Sequence, residues 1–182
     1  MLWVVLGLLA LVVVIAISLY NGLVGLRVRV DEGWSAIETQ LKRRHDLIPN
    51  LVETVKGYAA HERGVFERVT EMRSRAMAAT TPAQAAQAEG MLGQALRGLY
   101  AVAENYPELK ANQNFLGLQQ TLGETENAIA DSRRSYNAVV RDLNTRIQTV
   151  PSSIIAGMFR FQPREFFEIE AEAERAAPQV RF

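Results

Sequence analysis

The sequence contains no cysteine, which excludes disulfide bonds, thiolate nucleophiles and cysteine-based zinc sites. It also has no excess of charge, because Lys plus Arg and Asp plus Glu number 20 each, so charge does not favour a nucleic acid or an acidic partner. Only six prolines are present and few β-branched residues follow position 30, which favours helix there. The 182 residues suffice for one domain with a real core.

The chain begins with a long segment that carries no charged side chain, Met1 to Leu26, and its part Leu2–Leu19 is almost wholly apolar. About 20 apolar residues in a helix cross a bilayer. We therefore predict a transmembrane anchor over residues 1–26 and a helical-bundle domain over residues 27–182. The alternative is a cleaved signal peptide with Ala16–Ser18 as its cleavage site, but such a peptide needs a basic start that is absent here.

The basic residues that flank this segment predict its orientation. None precedes it, and the first that follow are Arg27, Arg29, Lys42, Arg43 and Arg44. The positive-inside rule therefore predicts an external N-terminus and a bundle in the cytoplasm. A domain outside the cytoplasm is the alternative, because acidic residues are interspersed among these basic ones.

Apolar residues recur at alternating steps of four and three, the spacing of helices packed along a seam. One position of the first series is taken by Arg44 and another by Glu62 instead of an apolar residue. The series comprises Val30, Trp34, Ile37, Leu41, Ile48, Leu51, Val55, Tyr58, Val65, Val69, Met72 and Ala76. A second helix is predicted from the cap Thr80-Thr81-Pro82 to about Asn105, and a third from about Glu108 to Thr149. We expect an all-α fold: an N-terminal transmembrane helix, then an elongated antiparallel bundle of three long helices plus short C-terminal helices.

Four phenylalanines lie close together after the third helix: Phe159, Phe161, Phe166 and Phe167. So dense an apolar segment is not expected to remain in water. We expect it to form a lid on the bundle end or on a neighbouring subunit, with Pro178–Phe182 extended against it.

The stretch RRHDLIPNLV, residues 43–52, places charges beside a helix breaker. Pro49 leaves the carbonyl of His45 without its helical partner, yet the apolar spacing passes through it unchanged. We predict a kinked but continuous helix, an asparagine or arginine side chain on that carbonyl, and pairing of the arginines with acids such as Glu124 or Glu126. A break of this helix near Gly57 or at His61-Glu62-Arg63-Gly64 is left open.

The alternative interpretation of this stretch is a catalytic or metal site. His45 and His61 lack the Glu-x-x-His spacing of di-iron bundles, and no pair of carboxylates is singled out. The acidic run from Glu165 to Glu174 is interpreted as a solvated face, and an enzyme that uses this run and binds a metal is an alternative hypothesis. We predict no catalytic, cofactor-binding or metal-binding residues, no cofactor and no nucleic acid.

Four segments resemble the LemA family. They are YNGLVGLRVRVDEGWSAIETQLKRRHDLIPNLVETVKGYAAHE at residues 20–62, NQNFLGLQQTLGETENAIADSRRSYNAVVRDLN at 112–144, QTVPSSIIAGMFRFQPREFFE at 148–168, and APQVRF at 177–182. The resemblance implies a single-pass protein of the bacterial inner membrane with a cytoplasmic helical bundle, and it implies no reaction. Some relatives are associated with bacterial membrane organelles, which suggests a role in membrane organisation.

Two hypotheses of function follow. The first is a non-catalytic scaffold or interaction protein, anchored in the bilayer by its first helix, that acts by self-association as a homo-oligomer or by binding other membrane proteins. The second is a sensory or ligand-binding bundle that relays a signal through the long first helix, with Pro49 as a hinge.

Overall fold

The computed structural model describes residues 1–168, and helices are the only regular elements in that range. There are six: α1 (Leu2–Lys56), α2 (Arg63–Met77), α3 (Pro82–Glu104), α4 (Pro107–Lys110), α5 (Gln113–Gln148) and α6 (Ser152–Met158). The predicted all-α class, with a long apolar helix at the N-terminus, is confirmed.

Helix α1 continues through Pro49, as the unchanged apolar spacing predicts. It ends at Lys56, where Gly57 and Ala59 donate their N–H groups back to the carbonyls of Glu53 and Val55. The break that the sequence left open therefore lies in the short connection to α2.

Helix α3 begins as predicted at its threonine and proline. The Thr81 side chain accepts a hydrogen bond from the N–H of Gln84, and Pro82 occupies the first turn. The prediction of a single third helix from Glu108 is wrong at its start, because α4 ends at Lys110. Asn112 then caps a new helix: its Oδ1 accepts the N–H groups of Asn114 and Phe115 at 2.9 and 3.1 Å.

Two compact units are distinguished, and α1 and α5 contribute residues to each. The first contains Met1–Ile37 and Ser132–Phe166, and most of the second is Glu38–Asp131. The separation into an anchor over residues 1–26 and a domain over residues 27–182 stays a prediction.

In the first unit, α1 and α5 run antiparallel. Gly22 lies beside Arg146 and Gly33 beside Tyr136, so residue numbers rise along one helix and fall along the other. A Cβ on Gly33 would lie 3.4 Å from Cδ2 of Tyr136, and the Tyr136 ring lies 5.8 Å from that of Trp34. The lack of a side chain at Gly33 thus permits a close approach. The buried residues of this unit include Leu23, Val30, Ile37, Tyr136, Val140, Leu143, Ile155 and Ala156.

In the second unit, five helices surround one apolar core. Its members come from the C-terminal part of α1, from α2, α3 and α4, and from the N-terminal part of α5: Ile48, Leu51, Val52, Val55, Phe66, Val69, Met72, Ala76, Leu92, Ala95, Leu96, Leu99, Ala103, Leu109, Phe115 and Leu122, with Ala59 from the connection. Burying such side chains contributes about 1.5–3 kcal/mol each for the larger ones. This core holds the helices on which the charged residues described next are placed.

Candidate functional site

Two charged residues of the second unit occupy positions that the helical spacing reserves for apolar ones. Arg44 lies on the seam of α1 between Leu41 and Ile48, and Glu89 lies on α3 between Ala85 and Leu92, in both cases at steps of three and four. Each is only 2 % exposed. Since a lone buried charge is costly, the two must compensate each other.

The Glu89 carboxylate is shared between two partners on α1. Its Oε2 forms an ion pair with Nη2 of Arg44, and its Oε1 lies 2.8 Å from Nε2 of His45. Arg44 also donates from Nη1 to Oε1 of Glu126, at 2.6 Å, on α5. The cluster therefore links three helices through charge-assisted hydrogen bonds.

His45 serves this cluster in its neutral form. Burial, the charge of Arg44 and then that of Arg73 lower its pKa to about 4, against a weaker opposing effect of Asp46. The Glu89 carboxylate favours a charged imidazole, but Arg44 already compensates the carboxylate. A neutral imidazole with its proton on Nε2 donates to Glu89.

The backbone of His45 connects the cluster to a fourth helix. Pro49 has no N–H to offer the His45 carbonyl, and Nε of Arg73 on α2 donates to that oxygen at 2.7 Å. The predicted arginine or asparagine partner is thus confirmed as an arginine. Four helices of the unit are joined at this one turn of α1.

The cluster is an ionic network with a buried centre, Arg44 and Glu89, and an exposed outer member, Glu126. Both oxygens of Glu89 are engaged and buried, which leaves the carboxylate poorly placed to take a proton from an external substrate. Within residues 1–168, no group of three or more histidine and acidic side chains lies together in an arrangement that could hold a metal ion. The arrangement is suited to fixing the helices in register.

The expected acidic partners of the two arginines are confirmed in one case. Glu126 binds Arg44, whereas Glu124, the alternative candidate, lies exposed and accepts a hydrogen bond from Gln120 on its own helix. Arg43 is exposed as well. Glu89 was missed, although its position on the apolar series of α3 carries the same signal as Arg44 on α1.

A second feature with functional meaning is the N-terminal part of α1. Among the described residues, α1 is the helix that is long and apolar enough to cross a membrane, and its most apolar stretch of 18 residues has a mean hydropathy of 3.0. The rest of the chain buries none of that stretch. A surface so apolar is suited to lipid.

The phenylalanine segment packs where this apolar part of α1 ends. The rings of Phe159 and Phe161 lie 4.6 and 6.0 Å from that of Tyr20, and the guanidinium of Arg27 lies 5.5 Å from the centre of the Phe161 ring. The segment therefore covers part of α1 in its own chain. The expected position of Pro178–Phe182 falls outside the described residues.

Comparisons with known proteins agree with the resemblance. A family model described as "LemA family" matches residues 33–182. The chain is 26 % identical to magnetosome protein MamQ 2 of Paramagnetospirillum magneticum, over 90 % of this chain and 71 % of that protein. It is 24 % identical to protein LemA of Metamycoplasma hominis, over 70 % of this chain and 58 % of that protein.

Proposed function

This chain belongs to the LemA family, and from that premise we propose that it is a membrane-anchored helical scaffold without catalytic activity. It acts by self-association or by binding other membrane proteins. The observation that carries the proposal is α1, whose exposed apolar part and whose core-forming part belong to one unbroken helix. The bilayer holds the first part, and the second part is built into a bundle that partners reach.

The topology belongs to the same proposal. The basic residues that follow the apolar part favour a bundle in the cytoplasm of a bacterium and an N-terminus outside the inner membrane. A reporter fused after Phe182 tests this. Activity of a cytoplasmic reporter supports the proposed orientation, and activity of a reporter that works only outside the cytoplasm contradicts it.

The second unit offers a surface for a protein partner. A groove of about 680 Å³ lies between the end of α1 and α2, where Val52 and Phe66 contribute apolar surface and charged side chains such as Glu53, Arg63 and Glu67 surround it. Apolar surface framed by charge is the usual composition of a protein interface.

Crosslinking in cells tests the interaction. A photoreactive amino acid is placed at Thr70 in the groove and, as a control, at the exposed Asp142 of the first unit. Defined adducts from position 70, with a second copy or with another membrane protein, support the scaffold. If neither position gives an adduct and the detergent-extracted chain runs only as a monomer, the proposal is contradicted.

The sensory alternative is favoured by the continuity of α1 through Pro49, because a continuous helix transmits a displacement along its axis. In this case Pro49→Ala, which restores a backbone N–H at this turn of α1, changes the crosslinking pattern of the bundle when external conditions change. An unaltered pattern in that variant contradicts the relay.

A further inference from the structure

The first unit exposes a second apolar surface besides that of α1. Four large apolar side chains of the α6 region are exposed: Val150 by 78 %, Ile154 by 62 %, Met158 by 69 % and Phe159 by 54 %. Ile154 and Met158 lie four residues apart, so they share one side of α6, and Val150 lies in the turn that precedes this helix. The opposite side, with Ile155 and Ala156, is buried.

This surface lies at the level where the apolar part of α1 ends. Phe159 contacts Tyr20 with ring centres 4.6 Å apart. The residues of α1 before Ala16 are exposed, whereas Ala16, Leu19 and Tyr20 are partly covered and Leu23 is fully buried. The helix rises by about 6 Å over the four residues from Ala16 to Tyr20, so other parts of the chain already cover some of α1 within its apolar part. That depth is similar to the 5–10 Å by which interfacial helices enter a bilayer.

Basic side chains accompany this surface. Arg27 lies against the ring of Phe161, Nη1 of Arg146 approaches within 3.0 Å of the point that a Cβ of Gly22 would occupy, and Arg160 directly follows the exposed Phe159. All three are exposed. Guanidinium groups beside an apolar surface match the phosphates above the hydrocarbon of a lipid layer.

The backbone at Arg160 fixes this arrangement. Its φ is +55°, a conformation that glycine adopts more readily than arginine. The N–H of Phe161 donates to the carbonyl of Ala156 and that of Arg160 to Gly157, which ends α6 in a Schellman turn. The turn returns the chain to α1 and leaves a charged residue where glycine would be easier.

We propose that α6 is an interfacial membrane helix: Val150, Ile154, Met158 and Phe159 insert into the bilayer beside α1, and Arg27, Arg146 and Arg160 bind the headgroups of anionic lipids. The surface is continuous with the exposed apolar part of α1, which is why lipid is its occupant. The inference rests on the proposed membrane anchor, since α6 reaches the bilayer only if α1 crosses it.

Depth-dependent quenching tests the insertion, and the absence of cysteine makes single labels simple. The full-length chain is labelled with a fluorophore at Val12 in the apolar part of α1, at Ile154 or Met158 on α6, or at Asp142 as an exposed control. Each sample is placed in phosphatidylcholine–phosphatidylglycerol vesicles with lipids brominated near the headgroup or near the chain end.

The expected result is that chain-end bromines quench position 12 best, headgroup-proximal bromines quench positions 154 and 158 best, and position 142 is not quenched. Quenching at 12 without quenching at 154 and 158 overturns the inference and leaves the anchor intact. Loss of quenching at 12 as well overturns the anchor, and the inference with it. Disulfide formation between two copies at position 154, without quenching there, assigns the surface to self-association and also overturns the inference.

A second set of variants tests the contribution of the arginine side chains. Arg160→Gly keeps the left-handed backbone while it removes the guanidinium, and Arg27→Gln removes a second one. We expect the headgroup-proximal quenching at position 154 to decrease in these variants when phosphatidylglycerol is present and to be little changed in phosphatidylcholine alone. Arg68→Gln, on α2 in the second unit, is the matched control. An equal decrease in both lipids contradicts recognition of the anionic headgroup.

Discussion

The side chain of Arg73 donates from Nε to the backbone carbonyl of His45 at 2.7 Å, the carbonyl that Pro49 deprives of its partner within α1. A proline in a helix interior costs about 3 kcal/mol, part of it from that lost bond. An arginine from the neighbouring helix replaces the missing donor. The backbone of α1 before Pro49 and the position of α2 are therefore coupled.

This coupling predicts a non-additive pair of substitutions. Arg73→Met leaves a carbonyl without a donor and should lower the free energy of unfolding by about 1–3 kcal/mol. In a Pro49→Ala background the helix supplies its own N–H, so the same substitution should cost clearly less. Urea unfolding of the full-length chain in detergent micelles, followed by helical circular dichroism, measures both.

The matched control is Arg68→Met, on the same helix as Arg73. Arg68 is exposed, and its Nη1 lies 3.7 Å from Oε2 of Glu71. A surface pair of this kind contributes about 0–1 kcal/mol. Equal losses from Arg73→Met in the two backgrounds would show that the bond to the His45 carbonyl is not what couples the helices.

The ion pair between Arg44 and Glu89 makes a second prediction. Glu89→Leu leaves the guanidinium buried with only Glu126 for a partner and should cost about 3–5 kcal/mol, whereas Arg44→Met with Glu89→Leu should recover most of that loss. Thermal unfolding of the micelle-bound chain measures the series. Glu71→Leu, which breaks only the exposed pairs of Glu71 with Arg68 and Arg75, is the control and should change stability little.

If the double variant is as unstable as Glu89→Leu, the stabilisation does not come from charge compensation. If the double variant is stable but crosslinks less in cells, the cluster is retained for a specific arrangement of helices rather than for stability.

Part of this structure could be predicted from the sequence alone. The steps of three and four identified the buried faces of α1 and α2, because helix periodicity alone determines which side chains share a face. The same argument carried α1 through Pro49 and required a side-chain partner for the His45 carbonyl. Each of these inferences is local to one helix.

What the sequence could not supply is which helices meet. Arg44 was recognised as an interruption of its seam, and Glu126 as one of two acidic candidates, but Glu89 was not paired with Arg44 from the residues alone. To pair two charged residues that interrupt the apolar series of different helices, one must know how the helices are aligned along each other. That alignment depends on the loops that connect them. The restart at Asn112 was missed for a different reason, because a side-chain cap within an otherwise helical pattern leaves the apolar spacing almost unchanged.

His45 predicts a dependence of stability on pH. Its pKa of about 4 in the folded chain lies below the ordinary 6.5, so the unfolded chain binds more protons between these values. The contribution of neutral His45 to the free energy of unfolding is fully present above pH 6.5 and is lost as the pH falls towards 4. The shift corresponds to about 3 kcal/mol at most.

Unfolding of the wild type and of His45→Gln across this pH range tests the assignment. Glutamine still donates to Glu89 but does not titrate, so the wild type should lose more stability on acidification than this variant. His61→Gln, in the exposed connection after α1, should behave like the wild type. The same pH slope in all three chains would exclude His45 as the titrating group.

The last prediction concerns the segment that follows α6. The amide of Asn144 binds both backbone groups of Arg164: it donates to the carbonyl at 2.9 Å and accepts from the N–H at 2.8 Å. The hydroxyl of Tyr136 donates to the carbonyl of Glu165 at 2.8 Å.

Asn144→Leu should therefore weaken the attachment of this segment by about 1–3 kcal/mol and raise its local opening about tenfold. Limited trypsin cleavage after Arg160 and Arg164 in the micelle-bound chain reports that opening, with Asn127→Leu on the exposed face of α5 as the control. Unchanged cleavage in Asn144→Leu would mean that the hydrogen bond from Tyr136 to Glu165 and the contacts of Phe159 and Phe161 with Tyr20 hold the segment without help from Asn144.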